Sequence, residues 1–143
     1  MNSLHFADVN VWVALHHELH VHHDAAMAWF ESLDALSTLV FCRQTQIGFF
    51  RLMTTEAVMG DEVLPQRQCW ALYKQWIEGG KALFHSEPAG MDEVFQAGTM
   101  GDSASPKLWM DAYLAAFAEA GHLRLVTLDR ALAAKSPNSI LLG

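Results

Sequence analysis

Hydrophobic positions come in short blocks whose spacing switches between strand-like and helix-like, predicting alternating strands and helices along the whole chain. A brief apolar stretch, residues 4–7, ends at Asp8. Residues 9–15 continue as an apolar run broken only by Asn10, which predicts a buried helix with Asp8 at its strand-to-helix junction. Ala26, Met27, Phe30 and Leu33 recur at helical spacing, predicting a second helix from residue 22 or 23 to about 36. Residues 39–41 form a β-like run, and residues 44–53 a helix with Ile47 and Phe50 facing inward and Phe49 and Met53 as further candidates for that face. Residues 54–64, with Gly60 and Asp61, are expected to be irregular. Pro65 suits the first helical turn, where its missing donor costs nothing, and predicts a helix to about residue 78 that Gly79 and Gly80 stop. A candidate strand at 82–84, a helix at 91–96 and a Gly-, Ser- and Pro-containing loop at 98–106 follow. The clearest helix is the Ala-rich 107–120, closed by Gly121, before strands at 123–127 and 139–142. The alternation predicts an α/β domain over residues 1–143 with a parallel, helix-covered sheet.

Composition narrows the class. With 143 residues, 52% of them hydrophobic and 17% charged, the chain can fill a core and is unlike a disordered segment. No apolar run approaches the roughly 20 residues that span a bilayer, so no membrane association is expected. Residues 1–7 lack the basic start and apolar stretch of a secretory leader. Cys42 and Cys69 form no CxxC pair or framework of spacings, which points to a reduced, cytoplasmic setting. A net charge of −7, with scattered Lys and Arg, argues against an open basic groove for nucleic acid. It leaves room for a nuclease whose negative charge is concentrated around a metal.

Three acids stand out by position. Asp8 follows the first strand, Asp111 lies in the first turns of the Ala-rich helix, and Asp129 follows a later strand. The carboxyl ends of parallel strands share one edge, so Asp8 and Asp129 can converge there, with Asp111 joining from the helix that feeds the later strand. Any one such Asp is more often a helix cap or a solvated turn residue; it is the agreement of three that suggests a site. Carboxylates packed together repel unless a cation resolves the conflict, and Mg²⁺ or Mn²⁺ prefers such oxygen ligands. Such a site can hydrolyse phosphodiesters. A haloacid-dehalogenase-type aspartyl enzyme would want an Asp two residues after Asp8, where this chain has Asn10.

Four segments occur in order: Asp8-Val9-Asn10-Val11, Thr45-Gln46-Ile47-Gly48-Phe49-Phe50-Arg51-Leu52, Asp111-Ala112-Tyr113-Leu114-Ala115-Ala116 and Thr127-Leu128-Asp129-Arg130. Together they resemble PIN-domain ribonucleases, specifically the VapC-type toxins of bacterial toxin–antitoxin pairs, over essentially the whole chain. The resemblance implies a three-layer α/β/α PIN-like fold with a mostly parallel sheet. It also implies Mg²⁺- or Mn²⁺-dependent endonucleolytic cleavage of RNA (tRNA or rRNA among the possible targets), a homodimer, and a cognate VapB-type antitoxin that blocks the site. By position, Asp8, Asp111 and Asp129 would be the catalytic, metal-binding acids. The usual further Glu at the start of the third helix would correspond to Gln46, which can offer a carbonyl oxygen but no charge. Glu56, Asp102 and Asp24 are the possible replacements. Asn10 would bond a carboxylate or, as the commoner role, cap its helix; Thr127 would orient Asp129, bind a metal-bound water or simply pack. Arg43, Arg51 and Arg130 would hold phosphate or form ordinary surface pairs. The alternative within this resemblance is a catalytically degenerate PIN fold kept as a binding module.

Two features lie outside that pattern. His16, His17, His20, His22 and His23 crowd one segment, and His16 and His20 have the spacing of two zinc ligands on a helix. No HExxH accompanies them, so a packed helix corner is the expected reading. Trp12, Trp29, Trp70, Trp76 and Trp109 are expected in the core or at interfaces, with base stacking the alternative.

Overall fold

The first apolar stretch becomes β1 (Ser3–Ala7), and it ends up at the centre of a sheet. In this computed structural model residues 3–143 are described; Met1 and Asn2, part of the segment weighed above as a leader, lie outside them. β1 pairs in parallel with β2 (Ser37–Phe41) on one side and β4 (Arg124–Thr127) on the other. β3 (Ala82–Phe84) and β5 (Ile140–Leu141) complete the order β3-β2-β1-β4-β5, again by parallel pairing. Parallel neighbours need crossovers, and helices supply them. They are α1 (Val9–His16), α2 (His23–Ser32), α3 (Arg43–Met53), α4 (Glu56–Met59), α5 (Gln66–Glu78), α6 (Met91–Ala97), α7 (Leu108–Ala120) and α8 (Arg130–Ala134).

Side-chain alternation on the strands splits the interior in two. Ala7, Leu39, Phe41 and Val126 belong to one buried cluster with Trp12 of α1 and Phe49 of α3. Trp12 stacks on Phe41 at 3.8 Å between ring centroids and meets Trp76 of α5 edge-on at 5.0 Å. Phe6, Val40 and Leu125 belong to the other cluster, with Leu114 and Phe117 of α7 and Leu132 of α8. Helices therefore cover both sheet faces in an α/β/α sandwich, as expected, with every strand pair among the described residues parallel.

The departures from the sequence expectation are local. α2 stops at Ser32 because the Asp34 carboxylate accepts from the Leu36 N–H (2.9 Å) and the Ser37 hydroxyl (3.2 Å), turning the chain into β2. The inward face of α3 is Thr45, Gln46, Phe49 and Met53, which leaves Ile47 52% exposed rather than buried. The stretch expected to be irregular contains α4 and a 3₁₀ turn at Gly60–Glu62, anchored by the buried Met59. α8 was not expected, because five residues are too few to show a helical period.

Candidate active site

Asp8 sits where β1 gives way to α1, held at both main-chain and side-chain atoms. Its N–H donates to Val126 O at 2.9 Å, prolonging the contact with β4. Its Oδ1 accepts from the Val9 N–H at 2.7 Å as the N-cap of α1, and its Oδ2 accepts from Thr127 Oγ1 at 3.0 Å. Thr127, the last residue of β4, is fully buried, and its hydroxyl oxygen also accepts the Asp129 N–H at 3.0 Å. Asp129 caps α8, its Oδ1 accepting from the N–H groups of Ala131 (2.8 Å) and Leu132 (3.3 Å). Asp111 lies in the first turn of α7, half-buried. Two of the three acids thus do cap helices, and all three line one cleft of about 310 Å³. Larger hollows, of about 680 and 650 Å³, lie elsewhere and hold none of these acids.

The acids feel one another. Burial pushes the Asp8 carboxyl above its usual range, the charges of Asp111 and Asp129 add to that, and the Thr127 and Val9 hydrogen bonds oppose it. Burial likewise raises Asp111, with the Asp129 charge adding and the Lys135 ammonium pulling the other way. A cavity wall of like charges favours a cation, and carboxylate oxygens suit Mg²⁺ or Mn²⁺ in particular. Asp8 retains a free lone pair on each oxygen and Asp129 a whole Oδ2, so the donor set fits such an ion. Among the described residues, however, no three His, Cys, Asp or Glu side chains stand close enough to enclose a metal as they are.

The remaining expected residues divide. Asn10 and Arg51 line the cleft, and Thr127 joins it through Asp8. The α1 cap is Asp8, so the expected capping role of Asn10 is corrected: its side chain is exposed and faces the cleft. Gln46 is also corrected. It is 2% exposed, its Oε1 accepts from Arg43 Nη1 at 2.6 Å, and it is not part of the cleft wall. Arg43 is held there with its guanidinium over the Phe84 ring, and Arg130, Glu56, Asp102 and Asp24 also stand outside the cleft.

The α3 wall is instead Gln44, Thr45, Ile47, Gly48, Arg51 and Leu52, with no acid among them. Gly48 has a steric reason: a Cβ there would lie 2.6 Å from Val9 Cγ2, so only glycine lets α3 approach the start of α1 so closely. Lys135, the cation that acts on Asp111, was missed by the sequence reading because α8, which carries it there, shows no period of its own.

The histidine segment is a packed corner. His16 Nδ1 donates to Trp12 O (2.7 Å) while Nε2 accepts from Trp76 Nε1 (2.8 Å), so neither nitrogen is left for a metal shared with His20. His23 Nδ1 donates to Ala14 O at 2.6 Å, and His17 pairs with Glu62 at 2.8 Å. Trp12 is core and Trp29 and Trp76 are partly buried, whereas Trp70 and Trp109 are 47% and 56% exposed. Cys42 and Cys69 are buried and free. Among the described residues no helix is long and apolar enough to cross a membrane.

No family model matches the chain. It is 41% identical over 128 residues to Ribonuclease VapC41 of Mycobacterium tuberculosis, covering 87% of this chain and 88% of that protein. Among solved structures it is similar to M. tuberculosis VapC20, described as a sarcin–ricin loop cleaving toxin, with a TM-score of 0.63 and 13% identity over 91% of this chain and 93% of that one. It is equally similar (TM-score 0.63, 15% identity, 96% of each chain) to VapBC2 of Rickettsia felis, crystallised on a DNA fragment from its promoter. At these identities the two structures bear on the fold alone.

Proposed function

The chain belongs to the VapC ribonucleases, and from that premise we propose that it is a metal-dependent endoribonuclease toxin, a single PIN-like domain in which Asp8, Asp111 and Asp129 hold Mg²⁺ or Mn²⁺. The observation that carries this reading is the meeting of three carboxylates from three separate elements in one cleft. A bound divalent ion would supply charge neutralisation and Lewis acidity at a scissile phosphodiester. The chain's own contribution is positional. Val9 and Thr127 fix both oxygens of Asp8, and α8 fixes Asp129. Asn10 of α1 and Arg51 of α3, which both line the cleft, would bond the phosphate and its flanking sugar. A VapB-type antitoxin covering the cleft, a homodimer and a cytoplasmic RNA target belong to the same proposal.

The test is cleavage of a pool of tRNA and structured RNA by the purified chain, with Mg²⁺ or Mn²⁺ and with EDTA. Cleavage should require the ion and fall by at least about 100-fold in Asp8→Asn and in Asp111→Asn, since even residues one bond removed from a metal commonly cost 10–100-fold. Cleavage indifferent to EDTA and to both substitutions would sink the assignment. One observation favours a second reading, a degenerate PIN fold that binds without cutting: α3 gives the cleft no carboxylate. A folded protein that cuts nothing with either ion, yet still binds its antitoxin, would establish that reading instead.

A further inference from the structure

A second groove of about 230 Å³ lies on the other side of the first turn of α7 from the acid cleft. Its walls include Gly98, Gly101, Ser103 and Ser105 of the loop before α7, and Trp109 and Lys135. Leu108 and Trp109 belong to this groove, while Met110 and Asp111 face the cleft, so the two lie on opposite sides of the first turn of α7. Trp109 is 56% exposed on a chain whose other aromatic rings are largely spent on the core, and Phe95 braces its ring edge-on at 6.1 Å. Lys135 is exposed and has no ion-pair partner among the described residues. It also borders a neighbouring groove with Ala112 and Ala115, on the flank of α7 between Asp111 and the loop.

From this juxtaposition we infer that Trp109 and Lys135 form a nucleotide subsite beside the scissile position, Trp109 stacking on a base and Lys135 meeting the phosphate that joins it to the cleaved linkage. The inference rests on the nuclease reading and deepens it. An RNA strand crossing the cleft must carry its phosphates past three carboxylates on a chain of net charge −7. Local cations on the strand's path therefore decide whether it binds. Arg51 stands on the α3 side of the acids and Lys135 on the α7 side, close enough for its charge to act on Asp111. A base-sized groove floored by small and hydroxyl residues and closed by an exposed indole is the stacking surface that single-stranded RNA binders use. The lysine's charge, which reaches both this groove and Asp111, favours RNA.

The RNA cut most efficiently in the pool assay serves as the probe, and steady-state kinetics are compared for wild type, Lys135→Gln, Trp109→Ala and Trp109→Phe. Lys81→Gln, at the far edge of the sheet, is the control, and all variants are first checked for unaltered thermal unfolding. Binding of the same RNA is then followed in the Asp8→Asn background as salt is raised. Trp109→Ala should raise KM by about 5- to 140-fold, the worth of one stacked base, with kcat nearly unchanged and Trp109→Phe retaining most of the affinity. Lys135→Gln should lower the salt slope of binding by about 0.7, the signature of one lost phosphate contact on a single strand. Wild-type KM and salt slope in both variants would overturn the subsite while leaving the nuclease standing, whether or not the face then serves a protein. Absence of any metal-dependent cleavage by wild type would instead remove the nuclease reading, and the subsite with it.

Discussion

Thr127 commits one hydroxyl to two of the three acids, donating to Asp8 Oδ2 and accepting the Asp129 N–H, each at 3.0 Å. Because it is fully buried, neither bond can be replaced by bulk water. Thr127→Val keeps the shape and removes both. It should cost about 1–3 kcal/mol in urea unfolding, the penalty for stranding buried polar groups. It should also reduce cleavage by about 10–100-fold, as loss of an orienting partner commonly does. Thr127→Ser should restore most of both, and a Val variant that cuts like wild type would mean Val9 alone orients Asp8. Gln46 supplies the opposite case. Its carbonyl oxygen faces Arg43 at 2.6 Å on the buried side of α3, so Gln46→Glu exchanges a hydrogen bond for an ion pair with that arginine. The Mn²⁺ titration of the purified chain should therefore be unchanged by Gln46→Glu, and a tighter or additional ion would return residue 46 to the cleft.

At the scale of elements, α1 and α5 are pinned together by one imidazole. His16 must be neutral to accept from Trp76 while donating to Trp12, and burial holds its pKa below the ordinary 6.5. A lowered folded-state pKa means that the unfolded chain binds the extra proton first. Stability from this residue is therefore complete above about pH 6.5 and drains away as the pH falls toward the lowered folded value. Urea midpoints should drop between about pH 7.5 and pH 5.5, and the drop should shrink in His16→Gln, which keeps polar atoms there without titrating; an equal drop in the variant would move the effect to other groups. Period was legible wherever an element was long enough to repeat: α1, α5 and α7 and the strand cores lie close to where hydrophobic spacing predicts them. α8 and α4 escaped because a turn or so of helix shows no period. The inward face of α3 was misjudged at Ile47, and Gln46 was expected at the metal but faces Arg43, because adjacent helical positions point about 100° apart. Asp8 and Asp129 were visible as carboxylates at strand ends, a signal set by parallel topology itself, whereas Lys135 depends on how α8 packs and left no mark in the sequence.

Across the whole molecule, the decisive feature is that β1 lies at the centre of the sheet and takes β4 as its neighbour, joining the two ends of the chain. Each face then carries its own apolar core, and the carboxyl ends of β1 and β4 deliver Asp8 and Asp129 to one opening while α7 returns Asp111 to it. The same arrangement gives an acidic chain a defined cleft: three of its sixteen acidic residues meet at one sheet edge, with Arg51 on the α3 side and Lys135 on the α7 side. The bond between Thr127 and Asp8 spans 119 positions of sequence. At ordinary translation rates of 5–20 residues per second, about 6 to 24 s separate the synthesis of those two residues. Throughout that interval the growing polypeptide has no β4 against which to set Asp8, so the acid-lined cleft takes shape only once nearly the whole chain has been made.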